Sequence, residues 1–329
     1  MQNEFHGIGI LADETQHFEF YYKYMDVSFS VSGVETPLWL PPLVAFAISF
    51  FTSMAGVSGA FLILPFQMSV LGFTSPAVSP TNMVFNIVAI PSGVYRYIKE
   101  GRMLWPLALI TIVGTLPGVI AGGFIRLSYL PDPKPFKAFV GIVLLYIGAR
   151  MVSDLLKNHL KKKTAPNPQP QSSQEWSART VEFSWRKYTF DFQGKTYECR
   201  TVGIFLLSLA VGMIGGIYGI GGGAIIAPFF VAIYGLPVYT VAGATLMGTF
   251  VTSIVGVAFY QLIAPIFYKN SDLVVSPDWA LGALFGLGGF LGMYFGARAQ
   301  RFVPATRLKL LLGIILLSVA VPYIVGYFW

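Results

Sequence analysis

The sequence predicts an all-α integral membrane protein built from two homologous helical repeats. Hydrophobic residues make up 55% of the 329 residues and charged residues only 11%, whereas about a quarter of the residues in soluble domains are charged. The apolar residues form runs of about twenty or more, the length a helix needs to cross the hydrocarbon of a bilayer. The two halves of the chain also align with each other, which indicates a repeat.

Eight apolar segments follow one another along the chain, four in each half. They cover residues 38–71, 76–95, 103–126 and 136–155, and then residues 202–235, 238–265, 279–297 and 308–328. The first segment of each half is longer than a single span requires and has glycines near its middle. We therefore predict that this helix is broken into two segments in each half, which gives about ten membrane segments.

A constant offset of 163 residues aligns the two halves through these breaks. The aligned pairs are Gly56 with Gly219, Gly59 with Gly222, Pro65 with Pro228 and Phe66 with Phe229. After a change in loop length, Gly114, Gly118 and Gly122 align with Gly288, Gly292 and Gly296. Because each half holds an odd number of segments, we expect the repeats to be inverted, which is a common plan of transporters.

Polar segments precede the first repeat and separate it from the second. We predict an extramembrane tail over residues 1–37, a first repeat over 38–157, a cytoplasmic linker over 158–201 and a second repeat over 202–329. Aromatic residues alternate around Gln193-Gly194 and predict a small β-hairpin in the linker. The linker side of the ten-segment plan holds 17 of the 22 Lys and Arg, so we expect it to be cytoplasmic and both termini to lie outside. An eight-span plan with parallel halves also fits the charges.

The two breaks supply the candidate binding site. A helix that begins inside a membrane presents unpaired N–H groups and the positive end of its dipole, and both attract an anion. The candidate residues at the breaks are Ser53, Gly56, Ser58 and Gly59 in the first half, and Gly219, Gly221, Gly222 and Gly223 in the second. Close packing of helices against small residues is the alternative explanation for these glycines.

The next helix of each half adds polar side chains, which are Thr81, Asn82 and Asn86, and then Thr245 and Thr249. Asn82 and Asn86 are four residues apart and share a helix face, and the offset places them over Thr245 and Thr249. We therefore expect donors from both halves to line one cavity. The alternative is that the hydroxyls bond back to their own helix and the amides bond to a neighbouring helix.

The apolar segments lack the residues that several other functions need. No Asp, Glu or His lies deep in them, which disfavours proton relays and cation sites. We find no zinc-ligand spacing, phosphate-binding loop or nucleophile elbow, and we predict a non-enzyme with no catalytic residue, metal or cofactor. Basic cytoplasmic loops explain the net charge of +7 better than nucleic-acid binding does.

The motifs GVSGAFLILPF and GIGGGAIIAPF at the breaks, together with SPTNMVFN, resemble the TauE/SafE family, called sulfite exporters. The resemblance covers most of residues 38–328. It implies a secondary transporter that moves a small anion, such as sulfite or a related sulfur-containing or organosulfonate anion, by alternating access across the plasma membrane. The expected partners are this anion and the lipid bilayer, and the oligomeric state is not predicted. An anion channel and a non-transporting membrane sensor or scaffold are the alternatives.

Overall fold

The computed structural model of the protein describes residues 26–54, 57–161, 178–299 and 305–329. The helices of the first half are α1 (Leu40–Met54), α2 (Ala60–Ser69), α3 (Val78–Lys99), α4 (Trp105–Tyr129) and α5 (Pro133–Lys161). Those of the second half are α6 (Thr201–Tyr218), α7 (Ile226–Tyr234), α8 (Val238–Ala258), α9 (Trp279–Ala299) and α10 (Ala305–Phe328). Helix α8 continues through a π-helical turn, Phe259–Ile263, into a last α-helical turn, Ala264–Phe267.

Six helices of the described chain are long and apolar enough to cross a membrane. They occupy Trp105–Tyr129, Pro133–Ser153, Thr201–Tyr218, Thr240–Phe267, Trp279–Ala299 and Leu310–Phe328. A helix satisfies its own backbone hydrogen bonds, which is why lipid selects this structure for spanning segments. The protein is therefore a mostly helical, multi-pass membrane protein, as its composition predicts.

The first apolar segment of each half forms two helices. In the first half α1 ends at Met54 and α2 begins at Ala60, and in the second half residues 219–225 separate α6 from α7. With ten and nine residues, α2 and α7 have about half the length of a span. Helix length therefore confirms a membrane fold, whereas the ten-segment count and the inverted repeats stay predictions.

Glycines bring helices of opposite halves into backbone contact. A Cβ atom on Gly118 of α4 would lie 2.7 Å from the backbone nitrogen of Met213 in α6. In the same way, a Cβ atom on Gly292 of α9 would lie 3.0 Å from the Cα atom of Phe46 in α1. Each first helix thus packs on the fourth helix of the other half, through the glycines that the sequence repeat aligns.

Two pairs of equivalent helices, α3 with α8 and α5 with α10, run antiparallel. Gly243 of α8 lies against Tyr97 near the end of α3, and Gly256 near the end of α8 lies against Met83 near the start of α3. Helices α5 and α10 show the same order, because Gly141 lies against Tyr323 and Gly148 lies against Leu316.

Two small antiparallel sheets lie outside the helices. The first pairs β1 (Asp26–Phe29) with β2 (Val34–Pro37), and the second has the order β3 (Ala178–Phe183), β4 (Tyr188–Phe192), β5 (Lys195–Cys199). The β4–β5 turn is Gln193-Gly194, with φ values of 52° and 70°, as expected for a tight hairpin turn. The linker thus carries three strands where the sequence predicts a two-stranded hairpin. The domain boundaries stay predictions.

The first sheet lies at the amino-terminal end of α9. Asp278 is buried beside it and accepts hydrogen bonds from the backbone nitrogen of Leu281 at 3.1 Å and from the hydroxyl of Ser32 at 2.9 Å. The carboxylate thus caps the helix and holds the β1–β2 turn. Residues 26–37, which the sequence assigns to an extramembrane tail, contain this hairpin.

Candidate functional site

The first break is held by Ser58. Its hydroxyl accepts a hydrogen bond from the backbone nitrogen of Ala60 at 3.3 Å, and it donates to Oδ1 of Asn86 at 2.6 Å. Ser58 and Asn86 are both completely buried. The serine therefore satisfies the first backbone N–H group of α2 and joins this helix to α3. Gly56 lies outside the described residues.

The second break depends on glycine. Gly219 ends α6 with φ of +82°, and Gly221 follows with φ of +79°, both in the left-handed region that disfavours side chains. A Cβ atom on Gly219 would also lie 2.5 Å from Cβ of Ser79, and one on Gly223 would lie 2.7 Å from Oγ1 of Thr249. These glycines therefore serve both the bend and close packing.

Asn82 and Asn86 connect the two breaks. Nδ2 of Asn86 donates to the carbonyl of Ile220 at 2.9 Å, while its Oδ1 receives the Ser58 hydroxyl. Nδ2 of Asn82 donates to the carbonyls of Ala60 at 3.1 Å and Gly219 at 3.0 Å. Each amide thus contacts backbone or side-chain groups from both halves, and both side chains are completely buried.

The threonines of α8 contribute less directly. The Thr249 hydroxyl donates to the Thr245 carbonyl at 2.9 Å, and the Thr245 hydroxyl donates to the Ala242 carbonyl at 3.1 Å. Both therefore bond back to their own helix. The hydroxyl that holds the second break is that of Thr252, which accepts from the backbone nitrogen of Gly222 at 3.0 Å.

Two other predicted residues face elsewhere. The Ser53 hydroxyl donates to the Phe50 carbonyl at 3.3 Å, and its side chain lies against Gly296 of α9. The Thr81 hydroxyl donates to the Ala77 carbonyl at 2.7 Å and accepts from the backbone nitrogen of Asp278 at 2.8 Å. Thr81 therefore supports the start of α9, and neither residue joins the contacts of Asn86.

Several buried polar atoms near the breaks have no hydrogen-bond partner among the described residues. They include Oδ1 of Asn82 and the Ser253 hydroxyl. A Cβ atom on Gly221 would lie 2.8 Å from the Ser253 oxygen, so this hydroxyl lies at the second break. Buried polar groups are normally paired, and unpaired ones at a helix break are suited to bind a polar ligand.

Arg126 is the residue whose position sequence reasoning missed. Its charge suggests a basic flank of the third apolar segment, yet its side chain is completely buried in the last turn of α4. The spacing contains a signal for this orientation, because Arg126 follows Gly114, Gly118 and Gly122 at intervals of four residues. A helix presents such positions on one slowly turning face. The glycines pack on α6, and Arg126, one turn further on, lies against Phe136 and near Tyr260.

A basic cavity of 460 Å³ lies at the carboxyl ends of α3 and α9. It is lined by Tyr95, Arg96, Lys99, Glu100, Tyr294 and Arg298. Partial burial disfavours ionisation of Glu100, but Arg102 and Arg96 outweigh this effect and lower the pKa of its carboxyl group. Arg102 itself is buried, with its guanidinium 4.9 Å from the Tyr97 ring centre. A cavity with this excess of positive charge attracts anions.

Comparison with known proteins gives the family. The model of the family described as Sulfite exporter TauE/SafE matches residues 42–323, which include both breaks, Asn82, Asn86 and Arg126. The chain belongs to the TauE/SafE family. This membership confirms the resemblance seen in the motifs at the breaks.

Two curated relatives of this TauE/SafE protein are described as probable membrane transporter proteins. One, from Xylella fastidiosa (strain 9a5c), is 24% identical over 87% of this chain and 93% of its own length. The other, YunE from Bacillus subtilis (strain 168), is 22% identical over 81% of this chain and 90% of its own length. No solved structure matches the chain. The TauE/SafE protein is accordingly a membrane transporter of the plasma membrane and not an enzyme.

Proposed function

We propose that the protein is a secondary transporter that moves sulfite, or a related sulfur-containing or organosulfonate anion, by alternating access. The observation that carries this proposal is Asn86, whose amide contacts Ser58 at the first break and the Ile220 carbonyl at the second. A side chain that joins two interrupted helices is well placed to exchange these bonds for bonds to a ligand. The TauE/SafE family description supplies the sulfite part of the proposal.

The chemistry of the breaks favours an anion over a cation. The polar side chains there are amides and hydroxyls, and among the described residues no carboxylate joins them. Amide N–H groups, hydroxyls and the amino-terminal ends of α2 and α7 all stabilise negative charge. The basic cavity at the ends of α3 and α9 would concentrate anions at one entrance. We propose that an anion passes from this cavity to the breaks.

We further propose that the halves are inverted repeats with ten membrane segments. The antiparallel order of α3 with α8 and of α5 with α10 supports this plan, because a repeat of odd segment number reverses the direction of every equivalent helix. The short helices α2 and α7 would then each return part of the way through the bilayer from a break. Such half-length helices at the middle of a membrane are typical of transporter binding sites.

Anaerobic sulfite uptake into proteoliposomes tests the function, with thiosulfate, sulfoacetate and sulfate as parallel substrates. Asn86→Ala should lower saturable uptake about tenfold or more, since one lost ligand hydrogen bond to a charged group has that effect. Ser318→Ala is the control, because the Ser318 hydroxyl is exposed and bonds only to its own helix. Uptake equal in both variants would remove Asn86 from the site.

Counterflow separates a carrier from a channel. Vesicles preloaded with unlabelled sulfite should take up labelled sulfite faster than empty vesicles. The reason is that the binding site of a carrier returns to the outer face faster with an anion bound than without one, whereas a channel has no such step. Uptake without this stimulation would favour an anion channel. If no sulfur anion moves through a folded protein, the substrate class is wrong, and a wider set of anions is then tested.

A further inference from the structure

The guanidinium group of Arg126 has one unused edge. Its Nη1 donates to the carbonyl of Leu130, and its Cζ lies 3.7 Å from the ring centre of Phe136. Its Nε and Nη2 atoms, by contrast, have no hydrogen-bond partner among the described residues. The side chain is completely buried, so bulk water does not satisfy these donors in this conformation.

This buried charge also lacks a paired carboxylate. The ion pairs within the described chain join Arg96 and Arg102 to Glu100, and Lys187 to Glu198. Asp132 is near enough to act on Arg126 through its charge, but it is exposed and makes no salt bridge with it. An unpaired charge inside a membrane protein is costly and commonly marks a functional site. An anionic ligand would supply the missing partner.

The geometry of the free edge fits an oxyanion. Nε–H and Nη2–H point in the same direction from the planar guanidinium group, with the spacing that binds two oxygens of one carboxylate or phosphate. Sulfite and sulfonates offer pairs of oxygens in the same manner. Chloride cannot accept from both donors through two separate atoms, so this edge favours oxyanions.

Two further buried hydroxyl groups extend from Arg126 towards the second break. Tyr260 lies in the π-helical turn near Arg126, and Ser79 lies beside Tyr260. Both side chains are buried, and among the described residues neither hydroxyl has a polar partner beyond the other. Ser79 in turn lies against Gly219 at the break. The π-helical turn is notable because such turns are frequent at functional sites.

We propose that Arg126, Tyr260 and Ser79 form an oxyanion-binding station between the second break and the carboxyl end of α4. This end is opposite to the basic cavity, because Glu100, which lines the cavity, lies just before the start of α4. The station would hold the anion after it leaves, or before it reaches, the Asn86 contacts. Its ligand class rests on the proposed function, whereas the station rests on the orphaned donors themselves.

Anion-dependent thermal unfolding of the purified protein tests the station. Sulfite and sulfate are titrated against chloride at constant ionic strength, in the Asn86→Ala background so that the central contacts do not contribute. Arg126→Gln should weaken the apparent oxyanion affinity about tenfold or more. Arg126→Lys should be intermediate, because an ammonium group lacks the paired donors. Lys134→Gln, which removes an exposed charge from the first turn of α5, should bind as the parent does.

The outcomes separate this inference from the proposed function. Oxyanion binding that depends on Arg126, with no flux of any sulfur anion, would support the station and reject the transport proposal. Unchanged affinity in a folded Arg126→Gln variant, or no oxyanion stabilisation of the parent, would overturn the station whatever the flux shows. If Arg126→Gln does not fold, Arg126→Lys and Tyr260→Phe decide, and unchanged affinity in both would overturn the station.

Discussion

Pro65 lies inside α2 and has no N–H group to donate to the carbonyl of Phe61, four residues earlier. That carbonyl instead accepts a hydrogen bond from the hydroxyl of Tyr218 at 2.7 Å. Tyr218 is completely buried and is the last residue of α6. A proline in one half thus creates an acceptor that a tyrosine of the other half satisfies, directly beside both breaks.

Tyr218→Phe should destabilise the protein by about 1–3 kcal/mol, because the Phe61 carbonyl would stay buried without a partner. The measurement is the midpoint of thermal unfolding in detergent, which should fall. Tyr327→Phe is the matched control, since Tyr327 is 45% exposed on α10. Equal midpoints for the two variants would contradict the role assigned to Tyr218.

The sequence predicts part of this residue-level structure. The spacing of Asn82 and Asn86 and their offset from Thr245 and Thr249 indicate a shared face near the breaks. The hydrogen bonds from Asn82 to Gly219 and from Asn86 to Ile220 cross 137 and 134 residues, so only the tertiary packing reveals them. Which hydroxyl of α8 bonds to the backbone of the break depends on helix rotation. Thr252 makes this bond, whereas the Thr249 hydroxyl lies against Gly223 and bonds back to its own helix.

At the level of elements, the glycines of α4 and α9 determine how closely the helices approach. Gly118 and Gly122 lie against the backbone of α6, and Gly292 and Gly296 lie against the backbone of α1. Lipid provides no hydrophobic drive between helices, so close van der Waals contact has to stabilise these pairs. The repeated glycines therefore act mainly in helix packing at these positions.

Gly118→Ala should destabilise the α4–α6 pair by about 1–3 kcal/mol, since the added methyl group overlaps the backbone of α6 and forces the helices apart. Gly326→Ala in α10 is the control, because a Cβ atom there meets no other atom within 4 Å. Unfolding midpoints of the two variants give the comparison. A loss of stability in Gly326→Ala as large as in Gly118→Ala would argue against the packing role.

The positions of the spanning helices are the most predictable features of the fold, because the thickness of the bilayer fixes the length of a spanning helix. The segment predicted at 103–126 is observed as Trp105–Tyr129, and that at 279–297 as Trp279–Ala299. The strand of the linker sheet that lies outside the predicted hairpin, β3, is harder to predict from the sequence. Strand β3 carries Arg179 and Glu182, and its pairing with β4 contains an irregularity between Thr180 and Glu182, so no regular alternation marks it.

For the whole molecule, single cysteines can show on which face of the membrane the linker sheet and the carboxyl terminus lie. Burial, and secondarily Glu198, raises the pKa of the one native thiol, Cys199, to about 11. Its thiolate is therefore scarce at neutral pH, and labelling reagents react with the thiolate. Cys199→Ser removes this residual background, and cysteines can then be placed at exposed positions.

In that background, a membrane-impermeant maleimide added to intact cells should label Trp329→Cys and should not label Lys195→Cys until the cells are permeabilised. Inverted halves put the linker sheet and the carboxyl terminus on opposite faces, whereas the eight-span parallel plan puts them on the same face. Lys269→Cys should behave like Trp329→Cys. Labelling of Lys195→Cys and Trp329→Cys from one face would reject the inverted plan.

The pairing of α1 with α9 has a consequence for how the chain is made. About 240 residues separate the start of α1 from the start of α9, and a ribosome needs roughly 10–50 s to add that many. During this delay α1 is already synthesised while its glycine-lined partner does not yet exist. The newborn helix must therefore wait in the translocation channel, in lipid or with an assembly factor, and a chain that stops after the first repeat would never complete this contact.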